Sequence, residues 1–387
     1  MSIKLGDICE FQSGGTPAKG NTEYYNGNIP WITTIALNGG WIDANDAVGW
    51  ITEKAIKESA AKIVPAHSIM VGTRVGVGKV AVNAVSMATS QDIISLLKID
   101  EARWSKDYLC KFLQSKNNFL KAQARGATIK GIKIDVLSKL RVPEISIEKQ
   151  NYISKVIDMV KQVIIFRKNE LQKLDELIRA RFVELFGEPS TNPRGWDETT
   201  ISDECYYIKD GPHKSLTDIG KENGGHPFIS VRNIVNGHID FSTARYISDE
   251  DYADAIKKCH PEKGDMLYSK GGTTGIAKLI DIDEKFANWV HVAVLKFDKS
   301  RLNGVFFENM LNCFYCYEQS QRLTKGIANR DLVLSAMAQI KLYCPPMELQ
   351  NEFEEFVKQV DKSKVKVQKA LDETQKLFDS LMQQYFG

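Results

Sequence analysis

Residues 126–153 (GATIKGIKIDVLSKLRVPEISIEKQNYI) align without a gap to residues 326–353 (GIANRDLVLSAMAQIKLYCPPMELQNEF), an offset of 326 − 126 = 200. Only Gly126/Gly326, Glu148/Glu348, Gln150/Gln350 and Asn151/Asn351 are identical. Ile132/Leu332, Ile134/Leu334, Leu137/Met337, Leu140/Ile340, Val142/Leu342 and Ile147/Met347 keep their apolar character. The same offset pairs Leu171 with Leu371, Leu177 with Leu377 and Phe186-Gly187 with Phe386-Gly387. Earlier in the chain the offset is 226 − 29 = 197. There Ile29-Pro30-Trp31-Ile32-Thr33 matches His226-Pro227-Phe228-Ile229-Ser230, and Gly40-Trp41-Ile42-Asp43 matches Gly237-His238-Ile239-Asp240. Several matches in one order make a two-fold internal duplication, so the fold must be built twice.

Each copy changes period part-way. The first ~145 residues carry short apolar runs, such as 68–82 and 92–99, that read as strands and hairpins. A helical pattern covers 108–123. From Ile153 the period becomes four-and-three: Ile153, Ile157, Val160, Ile164, Arg167, Leu171, Leu174, Ile178, Arg181 and Leu185. The second copy runs Phe353, Val357, Val360, Lys364, Val367, Leu371, Thr374, Phe378, Leu381 and Tyr385 in the same frame. This is a heptad seam. Neither stretch contains Pro or an internal Gly, and each ends at Phe-Gly, a helix stop. A helix over 148–186 would be ~58 Å long at ~1.5 Å per residue. Equal length and frame predict that the two helices pair with each other. The segments read as a domain over 1–147, a helix over 148–187, a linker over 188–200, a second domain over 201–347 and a second helix over 348–387.

The net charge is only +2, but it is unevenly spread. Residues 1–195 hold 27 Lys and Arg against 20 Asp and Glu, 27 − 20 = +7; residues 196–387 hold 24 against 29, 24 − 29 = −5. A basic half is available to a polyanion. No apolar run approaches the ~18 residues of a membrane span, and no signal peptide is evident, so a cytoplasmic location with reduced thiols is expected.

Catalytic signatures are absent. Cys344-Pro345-Pro346-Met347 lacks both ends of the tetrad that an adenine methyltransferase uses to hold a flipped base, and is read as a chain turn. Gly72–Lys79 resembles a phosphate loop, but Thr73 and Val80 stand where a Walker loop needs Gly and Ser or Thr, so a hairpin is expected. Cys313 and Cys316 with Cys259-His260 are read as free thiols and a histidine rather than a metal site.

Polar residues that can hold phosphates or read bases fall at matching places in the two copies. One set is Thr16 and Lys19 against Lys209, His213 and Lys214. The next is Thr33, Thr34 and Asn38 against Ser230, Arg232 and Asn233. A third is Thr73, Arg74 and Lys79 against Ser269, Lys270, Thr273 and Thr274. A fourth is Arg125 and Lys130 against Lys325 and Arg330, while Gln91 and His291 follow strand-like runs. Arg, Lys, Asn and Gln pair bidentately with purine edges; Ser, Thr and Lys mostly hold phosphates. Taken singly, each is also an ordinary turn residue. The copies agree in their apolar frame and differ in these loops, the pattern of one scaffold carrying two targets.

With the duplicated block, the helix ends LDELIRARFVELFG (174–187) and LFDSLMQQYFG (377–387), the linker EPSTNPRGW and the opening LGDICEFQSGGTP, the whole chain resembles the specificity (S, HsdS) subunit of Type I restriction-modification systems. The resemblance implies an α+β fold with two mixed α/β target recognition domains separated by two long antiparallel helices. It also implies a bipartite, asymmetric double-stranded DNA target, with the helices acting as a ruler and as the dock for two methyltransferase subunits. Restriction/translocase subunits would join them. Catalysis, S-adenosylmethionine, ATP and Mg would belong to those partners, and this chain would bind no cofactor of its own. Two other readings are a stand-alone duplicated DNA-binding regulator and a coiled-coil scaffold for proteins only.

Overall fold

The period change at Ile153 falls just inside the first long helix, which begins at Ile147, where sheets give way to a single helix. The computed structural model describes residues 1–387 except 127–130, 236 and 327–329. The described residues group into two units. The first comprises 1–168 with 369–387, the second 169–368.

In the first unit, Glu10–Ser13, Ile93–Leu97, Ile69–Gly72 and Val80–Asn83 pair antiparallel in that order, and Trp41–Ile42 joins in parallel. A second sheet orders Gly49–Ile51, Tyr25–Ile32, Met87–Thr89 and Ile63–Val64, with Trp31 opposite Ala88 in a parallel register. Strands buried on both faces, such as Ile69–Gly72, are continuous apolar runs rather than alternating ones. The helix Lys106–Ser115 closes this core with Tyr108, Leu109, Phe112 and Leu113. A ribbon of Ser2–Lys4 and Arg141–Pro143 leads into the first long helix. The stretch 72–79 turns a hairpin between Ile69–Gly72 and Val80–Asn83, as its alternating Gly and Val predict; Gly76 takes φ 69° at its turn.

The second unit repeats this order. Cys205–Asp210, Val292–Phe297, Met266–Ser269 and Ala277–Leu279 form one sheet. Arg245–Ile247, His226–Ile229 and Ala287–Asn288 form the other, again with a parallel pair, Phe228 opposite Ala287. The ribbon is Glu198–Thr200 with Lys341–Tyr343. Pro345 and Pro346 turn the chain into the second long helix, whose Leu349 and Gln350 amides bond back to the Pro346 carbonyl.

The long helices are Ile147–Phe186 and Met347–Phe386, 40 residues each. Every one of the ten heptad positions expected in each helix is buried or half-buried, while the positions between are mostly exposed. Within the second unit the helices run antiparallel: Lys364 pairs with Asp175 at 2.7 Å, and Arg181 with Glu352 at 2.5 Å. Phe182 and Phe186 pack with Phe353 and Phe306 there, ring centroids 4.8–5.7 Å apart. Within the first unit, Phe386 takes the mirror place among Tyr108, Phe112, Ile153 and Ile157, and Arg167 donates to the Ala370 carbonyl. Each buried Phe removes enough apolar surface to contribute about 2–3 kcal/mol. The helices are thus tied to each unit by the same residue, one copy apart. Among the described residues, no helix is long and apolar enough to cross a membrane.

The identical Gln150 and Gln350 fix where each long helix starts. Gln150, fully buried, accepts the Ser105 amide at 2.9 Å and donates to the Arg103 and Ile145 carbonyls. Gln350 accepts the Asn303 amide at 2.8 Å and donates to the Arg301 and Pro345 carbonyls.

Candidate nucleic-acid interface

Backbone hydrogen bonds gather the candidate loops into one cluster in each unit. In the first, the Ser90 amide bonds the Ile32 carbonyl, which places Thr33 beside Gln91; the Thr73 amide bonds the Asp92 carbonyl. Arg125 and Gly131 exchange both backbone hydrogen bonds at 3.0 Å, and the Ile132 amide docks on the Thr73 carbonyl at 2.8 Å. The segment 125–131 is therefore pinned at its base to the hairpin carrying Arg74. Gly15 bonds the Thr89 carbonyl, which adds Thr16 to the same neighbourhood.

The second unit uses the same connections. Trp289 bonds the Ile229 carbonyl, placing Ser230 near His291; Lys270 and Gly271 bond the His291 carbonyl. Lys325 and Asp331 exchange backbone hydrogen bonds at 2.9 Å, and Leu332 docks on the Lys270 carbonyl at 2.7 Å. Gly272 also bonds the Arg330 carbonyl.

The side chains divide by exposure. Lys19, Asn38, Arg74, Lys79, Gln91, Arg125, Lys209, His213, Lys214, Arg232, Thr273, Lys325 and Arg330 are exposed. Thr16, Thr33, Ser230 and His291 are half-buried. Thr34, Thr73, Asn233, Ser269, Lys270 and Thr274 are buried, and Lys130 lies outside the described residues. The buried group is largely committed to the protein itself. Thr73 donates to the Asp92 carbonyl, Asn233 accepts the Ser230 amide and donates to the Asp240 carbonyl, and Ser269 accepts the Ile276 amide. Thr274 shares a hydrogen bond with Thr324. Lys270 is held by Asp331 at 3.0 Å and Asp210 at 3.4 Å, and Asp210 also pairs with Lys258 at 2.7 Å. Buried charge of this kind is tolerated because every member is paired.

Two exposed candidates are engaged by neighbours within the protein. Lys214 pairs with Asp254 at 3.0 Å on the helix Asp249–Lys258, and that hydrogen bond holds its ammonium above the ordinary lysine range. Asn38 accepts the Gly40 amide within its own turn. Arg74 lies at the edge of ion-pair distance from Asp92, 4.0 Å, and Arg232 donates to the Thr243 carbonyl at 2.8 Å. Asp210 and Asp331, which hold Lys270, escaped the sequence reading. Asp331 stands at the position of Gly131, so the two copies give no shared signal there. Cys259 and Cys316 pack in different cores, and among the described residues no cluster has the composition of a metal site.

The fold is that of a DNA specificity protein. The family model for the Type I restriction modification DNA specificity domain matches residues 1–176 and again 193–374. The chain is 25% identical over 399 aligned positions to the Type I restriction enzyme MjaIX specificity subunit of Methanocaldococcus jannaschii, covering 98% of this chain and 90% of that one. The S subunit structure from M. genitalium shares the fold over 100% of this chain and 96% of its own, with TM-score 0.56 and 16% identity. A structure solved for complex assembly and conformational transition of the type I R-M system matches at TM-score 0.62 and 15% identity, covering 100% and 97%. This chain belongs to the Type I restriction-modification specificity (HsdS) family: it is a DNA specificity subunit, a non-catalytic role.

Proposed function

We propose that the two loop clusters are the DNA-reading surfaces, each unit taking one half of a bipartite, asymmetric target. The observation that carries this reading is the shared anchoring of 125–131 and 325–331 on a hairpin, combined with different exposed side chains at equivalent places. Arg74, Lys79, Gln91 and Arg125 stand in the first cluster, and Arg232, Thr273, Lys325 and Arg330 in the second, with Lys130 the further candidate of the first. Thr16, Thr33, Ser230 and His291 line the same loops. Arg and Gln supply bidentate base contacts and Lys supplies phosphate contacts. The buried Lys270, Ser269, Asn233, Thr34, Thr73 and Thr274 act by holding the loops in place.

The paired helices set the gap between the half-sites and receive methyltransferase subunits. Tyr152, Met159, Val163 and Phe166 support such docking: they are spaced seven, four and three residues apart on one face and are 39–68% exposed. S-adenosylmethionine, ATP and Mg are used by the methyltransferase and restriction subunits, in the cytoplasm.

Exchanging residues 1–147 for those of another family member tests the reading. Mapping of methylated bases is expected to show one half of the target changed and the other retained. An unchanged target, or the loss of both halves in a folded chimera, would reject it.

A further inference from the structure

Resting on the assignment of the first cluster to DNA, we propose that Ile35 and Val75 read the 5-methyl group of a thymine in the half-site of the first unit. Apart from Met1, Ile35 is the most exposed large apolar side chain among the described residues, at 78%. It sits in a turn corner, in which the Ala36 amide bonds the Thr33 carbonyl at 3.1 Å. Such corners ordinarily carry Gly, Asn, Asp, Ser or Pro. Val75, 58% exposed, stands at the tip of the neighbouring hairpin, directly after Arg74. The two loops touch. A methyl placed on Gly76 would meet Thr34 Cβ at 3.4 Å, and one on Gly72 would meet Thr34 Cγ2 at the same distance. Ile35 and Val75 are each one residue from that contact and flank the cluster that holds Arg74 and Thr33.

At an offset of 197 their counterparts in the second unit are Arg232 and Gly272. One scaffold thus carries two branched aliphatic side chains at the place where its copy carries a guanidinium and no side chain. A guanidinium suits the paired acceptors of guanine. On the major-groove edge the apolar group is the C5-methyl of thymine, and aliphatic side chains recognise it by contact. The two clusters therefore differ in the chemistry of the base they select, and not only in detail.

The experiment uses the full chain assembled with methyltransferase subunits and a duplex carrying its methylation-mapped target. Each thymine of the half-site assigned to residues 1–147 is replaced in turn by deoxyuridine, which removes only the methyl. One position is expected to weaken binding about fourfold, the value of one buried methyl-sized group. In the Ile35→Ala/Val75→Ala double variant the same replacement is expected to cost less than twofold. Arg74→Glu, measured alongside, reports whether the cluster faces DNA at all. If Arg74→Glu abolishes binding but no thymine is sensitive, or the half-site holds none, the methyl assignment falls and the DNA-facing reading stands. Sensitivity that persists in the double variant also overturns it. A loss in the double variant that is blind to the methyl would identify a wedge between base steps instead. Full binding by Arg74→Glu would remove both readings together.

Discussion

At the residue scale, two of the four identities in the repeated block have separable causes. Gln150 and Gln350 make the same three hydrogen bonds to loops some 45 positions earlier and to the turn before their own helix. Gly126 and Gly326 take φ of 144° and 86°, next to the residues that close the pinned loops. Both roles require one residue type. A buried amide side chain satisfies a donor and two acceptors, and glycine is the residue that adopts such dihedrals without strain. Gln350→Leu keeps the volume but leaves the Asn303 amide and two carbonyls without their partner. It is expected to destabilise the second unit by about 1–3 kcal/mol, read as a lower denaturant midpoint at an unchanged slope. The sequence shows that Gln350 recurs but hides why, because its partners are backbone atoms.

The element scale was the most legible. A heptad stripe needs only neighbours three and four residues apart, so all twenty seam positions are legible in the sequence alone. The polar seam members found local answers: Arg181 bridges Glu184 and Glu352, and Lys364 bridges Asp175 and Asp361. The strand runs at 68–82 and 92–99 also fall close to the observed strands. The clusters were only half legible. Their assembly depends on contacts such as Lys270 with Asp210 and Asp331, residues 60 and 61 positions away along the chain. Hence six candidates that read as surface turn residues are buried supports. A matched deletion of residues 164–170 and 367–373 removes one heptad from each helix and keeps the seam in frame. The recognised gap is expected to shorten by about 10 Å, or roughly three base pairs, at ~1.5 Å per residue and ~3.4 Å per base step. Deleting either heptad alone misaligns the seam, and its folded yield should collapse. Sequencing of methylated bases checks the first outcome, and circular dichroism the second.

For the whole molecule, duplication means that each structural requirement is met twice by non-overlapping sets of residues. The two large cores share no side chain: one gathers Leu5 through Ile157 with Phe386, the other Ile178 through Val360. Gln150→Leu and Gln350→Leu have no partner in common. Their destabilisations are expected to add to within about 0.5 kcal/mol in the double variant. A strongly non-additive sum would show that the long helices couple the two copies. The charge imbalance, +7 against −5, was visible from composition, but which loops carry it to a partner was not.

The pinning of the loops makes its demands through main-chain atoms. Arg125 with Gly131, and Lys325 with Asp331, are joined by amides and carbonyls that every amino acid except proline supplies. Apart from Gly126 and Gly326, whose backbone calls for glycine, these bonds make no demand on which side chains the loops carry. A lineage carrying this scaffold can sample new addresses on a genome by point mutation there, without first having to rescue a damaged fold.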